Sequence, residues 1–551
     1  MINNNKVAYV MHSDMEKINL NVDYLMLDYD ATLSGQPGQY FFVHINDDDI
    51  EALPIKIAAN WYRNEEGKDF IENDFSIGVS IDRRVRFLGA NIIKYYMAFK
   101  HWAEEYDQII LEPNMPEIIY EIAKIFKGKI SLDKAIPSIY LKGKSRNSNV
   151  NLYFKGRAHI KPIPTKKRST ILYLFQDILN IDKQNRVLCF PDWTYESAIP
   201  CNFLVLNSKN PKKGFYFKKT DTQINPIEFN EEIISLIKHR IKEIIKDSNV
   251  NDDDENNLVM LFVDMILKEY NKSKNILFQI YYTIVDLFDN YKPCRVVLPN
   301  MIYCWYSMVL QVARKKHIKT IVVIDGYLTF DEDNYFQKDH SGKKYIVDEY
   351  AAMGDYNIDI LSKYSESIDL QNISTPLSHH NKYKPNVKKK YDALIMMPYP
   401  WLSSINGLWD SRHRFIHEVE MLLEELSIKS IAIKVKTGRD KMEVNSIKSY
   451  SRKDIIDGHF HDIVNQCKIV IGTLGTGTIE SFLSDIPYYL YEPYYNGLSS
   501  KNISRSFINK KYFARDINSL SSNIINHNAV SLSSDKILNG ANLKKIFGEY
   551  L

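Results

Sequence analysis

The sequence predicts an α/β protein built from βαβ units with parallel strands, and three observations carry that prediction. The first is Lys468-Ile-Val-Ile-Gly-Thr-Leu-Gly-Thr-Gly-Thr-Ile-Glu-Ser-Phe-Leu483, an apolar run that reaches a Gly/Thr turn and continues as a helix, with residues 485–493 reading as the next strand. The second is the same pattern earlier in the chain: a strand over 294–298, a helix over 301–316 and a strand over 319–324. The third is scale. At 551 residues and 45% hydrophobic composition the chain has room for roughly three or four domains with real cores.

Taken in order, residues 6–11, 24–27 and 40–44 read as short strands. Residues 89–103 then show apolar positions at helical spacing, and 108–111 read as a strand before Glu112-Pro113. Residues 155–170, with Lys155, Arg157, Lys161, Lys166, Lys167 and Arg168, read as a basic connector. Alternation resumes at 170–180 and 186–190. An amphipathic helix is expected over 231–247, a charged exposed loop over 249–257, and a helix over 258–291. The Lys-rich stretch 382–390 reads as a second linker, followed by strands at 391–397 and 429–436 with a helix from about 414 to 426 between them. The resulting division is an N-terminal α/β region at 1–165, a second domain at 166–385 and a third at 386–551.

Composition excludes several classes of function. With 71 basic and 68 acidic residues the formal charge is +3, so no nucleic-acid partner is expected. The five cysteines, at 189, 201, 294, 304 and 467, form no CxxC and no zinc spacing, which suits reduced thiols in the cytoplasm. No charged-then-apolar leader opens the sequence, and no apolar run approaches the roughly 20 residues that span a bilayer. A metal is not expected either. Asp28-Tyr-Asp30 is a short and common pattern, and adjacent His379-His380 cannot face one ligand as residues four apart on a helix do.

The candidate site residues cluster at predicted strand ends. In the 468–483 stretch, Gly472, Gly475 and Gly477 allow close backbone approach, while Thr473, Thr476 and Thr478 offer hydroxyls beside free amides at a helix start. That chemistry holds a phosphate or carboxylate. Gly472 and Gly477 have the Walker spacing, but Thr478 stands where the lysine belongs, and the glycine order does not fit the dinucleotide fingerprint. The alternating cations Lys434 and Lys436 end the strand at 429–436, which places Lys436, and Arg439 just beyond it, as positive charge on the same rim. Asp325, followed by Gly326 at a strand tip, reads either as a general base or as a cap on its turn. Asp192 and Glu196 lie in a loop that reads either as an acid presented to substrate or as an ordinary turn.

These features, in this order, resemble the GT-B glycosyltransferases, and among them the bacterial capsule Kdo transferases and GT-B sialyltransferases, which use CMP-activated ulosonic acids. The Asp-Gly of Ile324-Asp325-Gly326-Tyr327 matches an acidic signature of that group without its preceding acid, and Thr473, Thr476 and Thr478 match its Ser/Thr-rich phosphate turn. Val435-Lys436-Thr437 stands where the sialyltransferases carry a His-Pro pair. The run from Glu480 through Tyr491-Glu-Pro-Tyr-Tyr-Asn-Gly-Leu498 resembles the end of the Kdo transferase domain.

The resemblance implies two Rossmann-like domains facing a cleft, with the N-terminal region as an addition. Asp325 would be the catalytic residue, and Lys436, Arg439, the 472–478 turn and Glu480 would hold the donor. It implies no resident cofactor and no metal, the nucleotide-activated sugar being substrate. A surface glycan or glycolipid acceptor is implied as well, and with it a cytoplasmic location extending to peripheral contact with the inner face of the membrane. Alternatives left open are a UDP- or GDP-sugar transferase, a teichoic-acid-type polyol-phosphate transferase, and a noncatalytic sugar-binding partner in polysaccharide assembly.

Overall fold

The computed structural model describes residues 7–11, 23–26, 39–40, 47–71, 75–111, 117–126, 130–131, 187–189, 204–205, 226–248, 252–298, 304–323, 347–362, 369–373, 387–397, 409–435, 454–456, 460–493 and 506–540. These form the expected α/β fold, with three sheets in sequence, each with all its strands parallel.

The first sheet contains β1 (Val7–Met11), β2 (Asp23–Met26), β3 (Gln39–Tyr40), β4 (Gln108–Leu111) and β5 (Ile130–Ser131), in the order β3-β2-β1-β4-β5. Its helices are α1 (Asp47–Asn60), α2 (Ile77–Glu105) and α3 (Glu117–Ile125). The periodicity at 89–103 is the second half of α2. This helix starts where Ser76 Oγ accepts the Val79 amide, and it passes through Gly89, where a Cβ would meet Phe262 Cε1 at 2.7 Å. The glycine inside the helix is therefore a point of close helix contact.

The second sheet contains β6 (Val187–Cys189), β7 (Leu204–Val205), β8 (Arg295–Leu298), β9 (Lys319–Val323), β10 (Glu349–Met353) and β11 (Asp369–Ile373), in the order β11-β10-β9-β8-β6-β7. The accompanying helices are α4 (Glu231–Lys246), α5 (Asp252–Tyr291), α6 (Cys304–Lys315) and α7 (Gly354–Leu361). The charged stretch 249–257 was expected as an exposed loop, and from Asp252 onward it is instead the first turns of α5. Acidic residues favour the positive end of a helix dipole. Glu255 is buried, with its carboxylate 3.4 Å from Lys242 Nζ on α4.

The first two sheets share one continuous apolar core through α2, α5 and α6. Phe75 stacks on Tyr281 at 4.7 Å and meets Phe278 edge-on, the Ser76 amide donates to Gln311 Oε1 at 2.8 Å, and Arg84 pairs with Glu269. The N-terminal region is thus packed into the second unit.

The third sheet contains β12 (Tyr391–Met396), β13 (Ile431–Lys434), β14 (Asp454–Ile456), β15 (Cys467–Gly472), β16 (Tyr488–Tyr491) and β17 (Phe513–Ala514), in the order β14-β13-β12-β15-β16-β17. It carries α8 (Trp409–Glu425), α9 (Phe460–Val464), α10 (Thr476–Leu483), α11 (Ile517–Ile525) and α12 (Ser534–Leu538). From this unit the chain returns to the second. Phe507 stacks on Tyr356 at 4.3 Å, Asn539 Nδ2 donates to Asp355 Oδ1 at 2.8 Å, and α12 lies against Gly354. Gly354 has φ +73, and a Cβ there would meet Ile537 O at 2.5 Å. Gly354→Ala should therefore cost about 2 kcal/mol and loosen this return. Urea denaturation together with protease sensitivity after residue 506 measures both effects, and an unchanged midpoint would refute the prediction.

Among the described residues no helix is long and apolar enough to cross a membrane, and no group of three or more His, Cys, Asp or Glu side chains is placed to hold a metal. Asp28, Asp30, His379, His380, the 155–170 stretch and most of 382–390 lie outside the described residues.

Candidate functional site

The third sheet reverses its strand order between β12 and β15: the chain runs outward from β12 through β13 to β14, then crosses back to β15. Such a switch point opens a crevice beyond the carboxyl ends of the strands, where ligands bind in open parallel sheets. The 473–475 turn leaves β15 at this crevice, and β16 follows α10 in parallel register, Val470 opposite Tyr488.

Gly472 is required by packing. A Cβ there would lie 2.2 Å from Tyr488 Oη and 2.8 Å from Met396 Cβ. The Tyr488 hydroxyl occupies that space and donates to the Thr473 carbonyl at 2.8 Å, while the Leu474 amide donates to Glu492 Oε1 at 2.6 Å. Gly475, the N-cap of α10, has extended backbone with φ 175 and makes no side-chain cap. A Cβ on it would have no described neighbour within 4 Å. Neither backbone strain nor packing asks for glycine at this position, whereas close approach of a ligand would.

Thr473, Gly475, Thr476 and Gly477 are partly exposed, and Thr478 and Glu480 are buried. Among the described residues no backbone carbonyl takes the amide N–H of Gly475, Thr476 or Gly477, while the Thr478 amide returns to Gly475 O at 3.0 Å. Three successive amides without a backbone carbonyl partner at the positive end of a helix are groups that an anion can engage. The Thr478 hydroxyl was expected beside these amides. It lies fully inside, facing Tyr488, because the fourth residue after the turn's Leu474 points into the helix's packed face.

One helical turn below Thr476, on the same face, Glu480 is only 5% exposed. Burial pushes its carboxyl up to about 7, against a smaller downward pull from Lys434. Lys434 ends β13, is itself 6% exposed, and donates from Nζ to the Val435 carbonyl at 2.5 Å. The described cation that acts on Glu480 is thus a buried lysine two residues before Lys436. Lys436, Arg439, Asp325, Asp192 and Glu196 all lie outside the described residues.

Tyr488 and Glu492 were missed in the sequence, and Lys434 was read only as part of the cationic strand end. Glu492 did leave a signal: an acid directly after the wholly buried strand Tyr-Tyr-Leu-Tyr needs a partner. A cavity of about 350 Å³ opens at the opposite, amino ends of the strands, over Lys390, Tyr391, Asp454 and Ile463. Its polar groups pair among themselves, Tyr391 Oη donating to Asp454 Oδ2 at 2.8 Å, and it is remote from the turn.

No family model and no curated protein matches the sequence. Among solved structures, the chain is similar to the UDP-GlcNAc 2-epimerase from Methanocaldococcus jannaschii, at 11% identity and TM-score 0.38 over 66% of this chain and 98% of that one. It is similar to the UDP-GlcNAc 2-epimerase from Neisseria meningitidis bound to UDP-GlcNAc, at 9% identity and TM-score 0.34 over 66% and 99%. It is also similar to a glycosyltransferase from Rickettsia africae, at 11% identity and TM-score 0.29 over 67% and 93%. Likeness this distant assigns no activity, which has to be read from the chemistry of the turn.

Proposed function

We propose that the chain is a GT-B-type glycosyltransferase that transfers a sugar from a nucleotide-activated donor to a glycan acceptor. The observation that supports this reading above others is the row of three amides at Gly475, Thr476 and Gly477 over the switch point of a parallel sheet. An acceptor hydroxyl attacks the anomeric carbon, the bond to the donor phosphate breaks, and negative charge grows on the departing phosphate. Preoriented amides stabilise that charge more in the transition state than in the ground state. Lys436 and Arg439, which follow β13, one strand beyond β12, add positive charge. Asp325, two residues beyond β9, accepts the proton of the acceptor if the configuration inverts.

The finer reading, a CMP-activated ulosonic acid as donor, rests on the sequence resemblance alone. UDP is the competing nucleotide. A thermal-shift panel of CMP, UDP, GDP and their sugars separates the two, since a ligand at 100 times its Kd stabilises by about 2.7 kcal/mol. A response to UDP or GDP without CMP would sink the ulosonate reading, and no response to any nucleotide would sink the transferase. Asp325→Asn is expected to keep nucleotide binding and lose transfer. Unchanged turnover would remove Asp325 from the mechanism, and binding without turnover in the wild type would point to a noncatalytic partner.

A further inference from the structure

Glu492 is fully buried, directly after a strand whose four residues are all buried. A carboxylate in such a place is costly unless it is hydrogen-bonded, and an apolar side chain would fill the space at less cost. Its backbone is fixed from the outer side of the sheet, where the Glu492 amide donates to the Ala514 carbonyl at 2.8 Å. Its side chain reaches the other way, and Oε1 accepts the Leu474 amide at 2.6 Å.

The Leu474 N–H and the Thr473 C=O belong to one peptide unit, which is planar. Tyr488 Oη donates to that carbonyl at 2.8 Å. Both ends of a single peptide plane are therefore held by side chains from β16 and the residue after it. If this plane turned over, the Thr473 carbonyl would exchange places with the Leu474 N–H, and the chain entering Gly475 would change direction. The amides of Gly475, Thr476 and Gly477 would then change direction with it. Gly472 belongs to the same device, since only a residue without Cβ leaves room for the Tyr488 hydroxyl to reach the carbonyl.

We propose that Glu492, with Tyr488, is a positioning residue for the donor phosphate: the pair locks the Thr473–Leu474 peptide so that the next three amides face the anion. This rests on the reading of the turn as a phosphate site. The lock acts through the backbone, and neither side chain touches the ligand.

Isothermal titration of UDP and of CMP into the full chain tests it, with Glu492→Leu, Glu492→Gln and Tyr488→Phe beside the wild type. Leucine removes the acceptor and phenylalanine removes only the hydroxyl; each is expected to weaken binding about tenfold. Glutamine keeps an acceptor oxygen and is expected to recover most of the affinity. Thermal unfolding of each variant separates binding from folding, and Tyr488→Phe keeps the test open should the leucine variant fail to fold. Variants that lose stability but bind with wild-type affinity would overturn the positioning role. A wild type that binds neither nucleotide would instead overturn the phosphate reading of the turn.

Discussion

Gly472→Ala should destabilise the protein by about 3 kcal/mol, whereas Gly475→Ala, three residues on, should shift stability by less than about 1 kcal/mol and abolish anion binding. At position 472 the new methyl would sit 2.2 Å from Tyr488 Oη and 2.8 Å from Met396 Cβ, both on strands of the sheet. Relief requires the Tyr488 ring to withdraw, which breaks its bond to the Thr473 carbonyl. Overpacking of about 2 kcal/mol and a lost buried hydrogen bond of about 1 kcal/mol then combine. At position 475 the methyl meets no described atom within 4 Å, and the extended backbone accepts alanine. The cost there is only the weaker N-cap preference of alanine, while the methyl would enter open space beside the amides that would hold the phosphate. Urea denaturation and nucleotide titration on both variants measure the contrast. Equal losses of stability, or wild-type affinity in Gly475→Ala, would show that the turn is a structural corner and not a binding surface.

The same two glycines show what was legible in the sequence. Strand, turn, helix and strand from 467 to 491 could be read because each signal is local: an apolar run, glycines, then helical spacing. What distinguishes Gly472 from Gly475 is not local. It depends on Tyr488 and Met396, brought to the turn by two other strands. Charge misled the reading at 252–257, where acids that look solvated begin a long helix and one of them, Glu255, is buried beside Lys242. The β10–α7–β11 stretch was not read as structure, since Glu349–Met353 is a five-residue strand whose alanines and single tyrosine carry little β signal of their own. It is paired on both edges, with β9 and β11, and all five residues are buried, so tertiary packing decides its conformation.

Glu480 should give the protein a pH dependence opposite to that of an ordinary salt-bridged carboxylate. Its carboxyl stands at about 7 in the folded chain, chiefly through burial, against an ordinary value of 4.5. Below about pH 4.5 it is protonated in both folded and unfolded chains and contributes no difference. Between 4.5 and 7 the folded state keeps a proton that the unfolded state releases, so stability falls as pH rises through that window. Above 7 the full cost of ionising the buried group is present, at most about 3 kcal/mol. Lys434, buried beside it, lowers that cost without removing it. Glutamine at this position cannot ionise, and Lys434 Nζ retains the Val435 carbonyl as acceptor. The expected result is a divergence between wild type and Glu480→Gln of up to about 3 kcal/mol between pH 4.5 and 8, from urea denaturation at intervals across the range. Other titrating groups are common to both curves and cancel in the difference. Nucleotide affinity should follow the same difference, because an ionised Glu480 on the Thr476 face opposes a bound anion. Parallel stability curves would show that Glu480 is ionised throughout, and would make Lys434 and Glu480 a permanent ion pair under the turn.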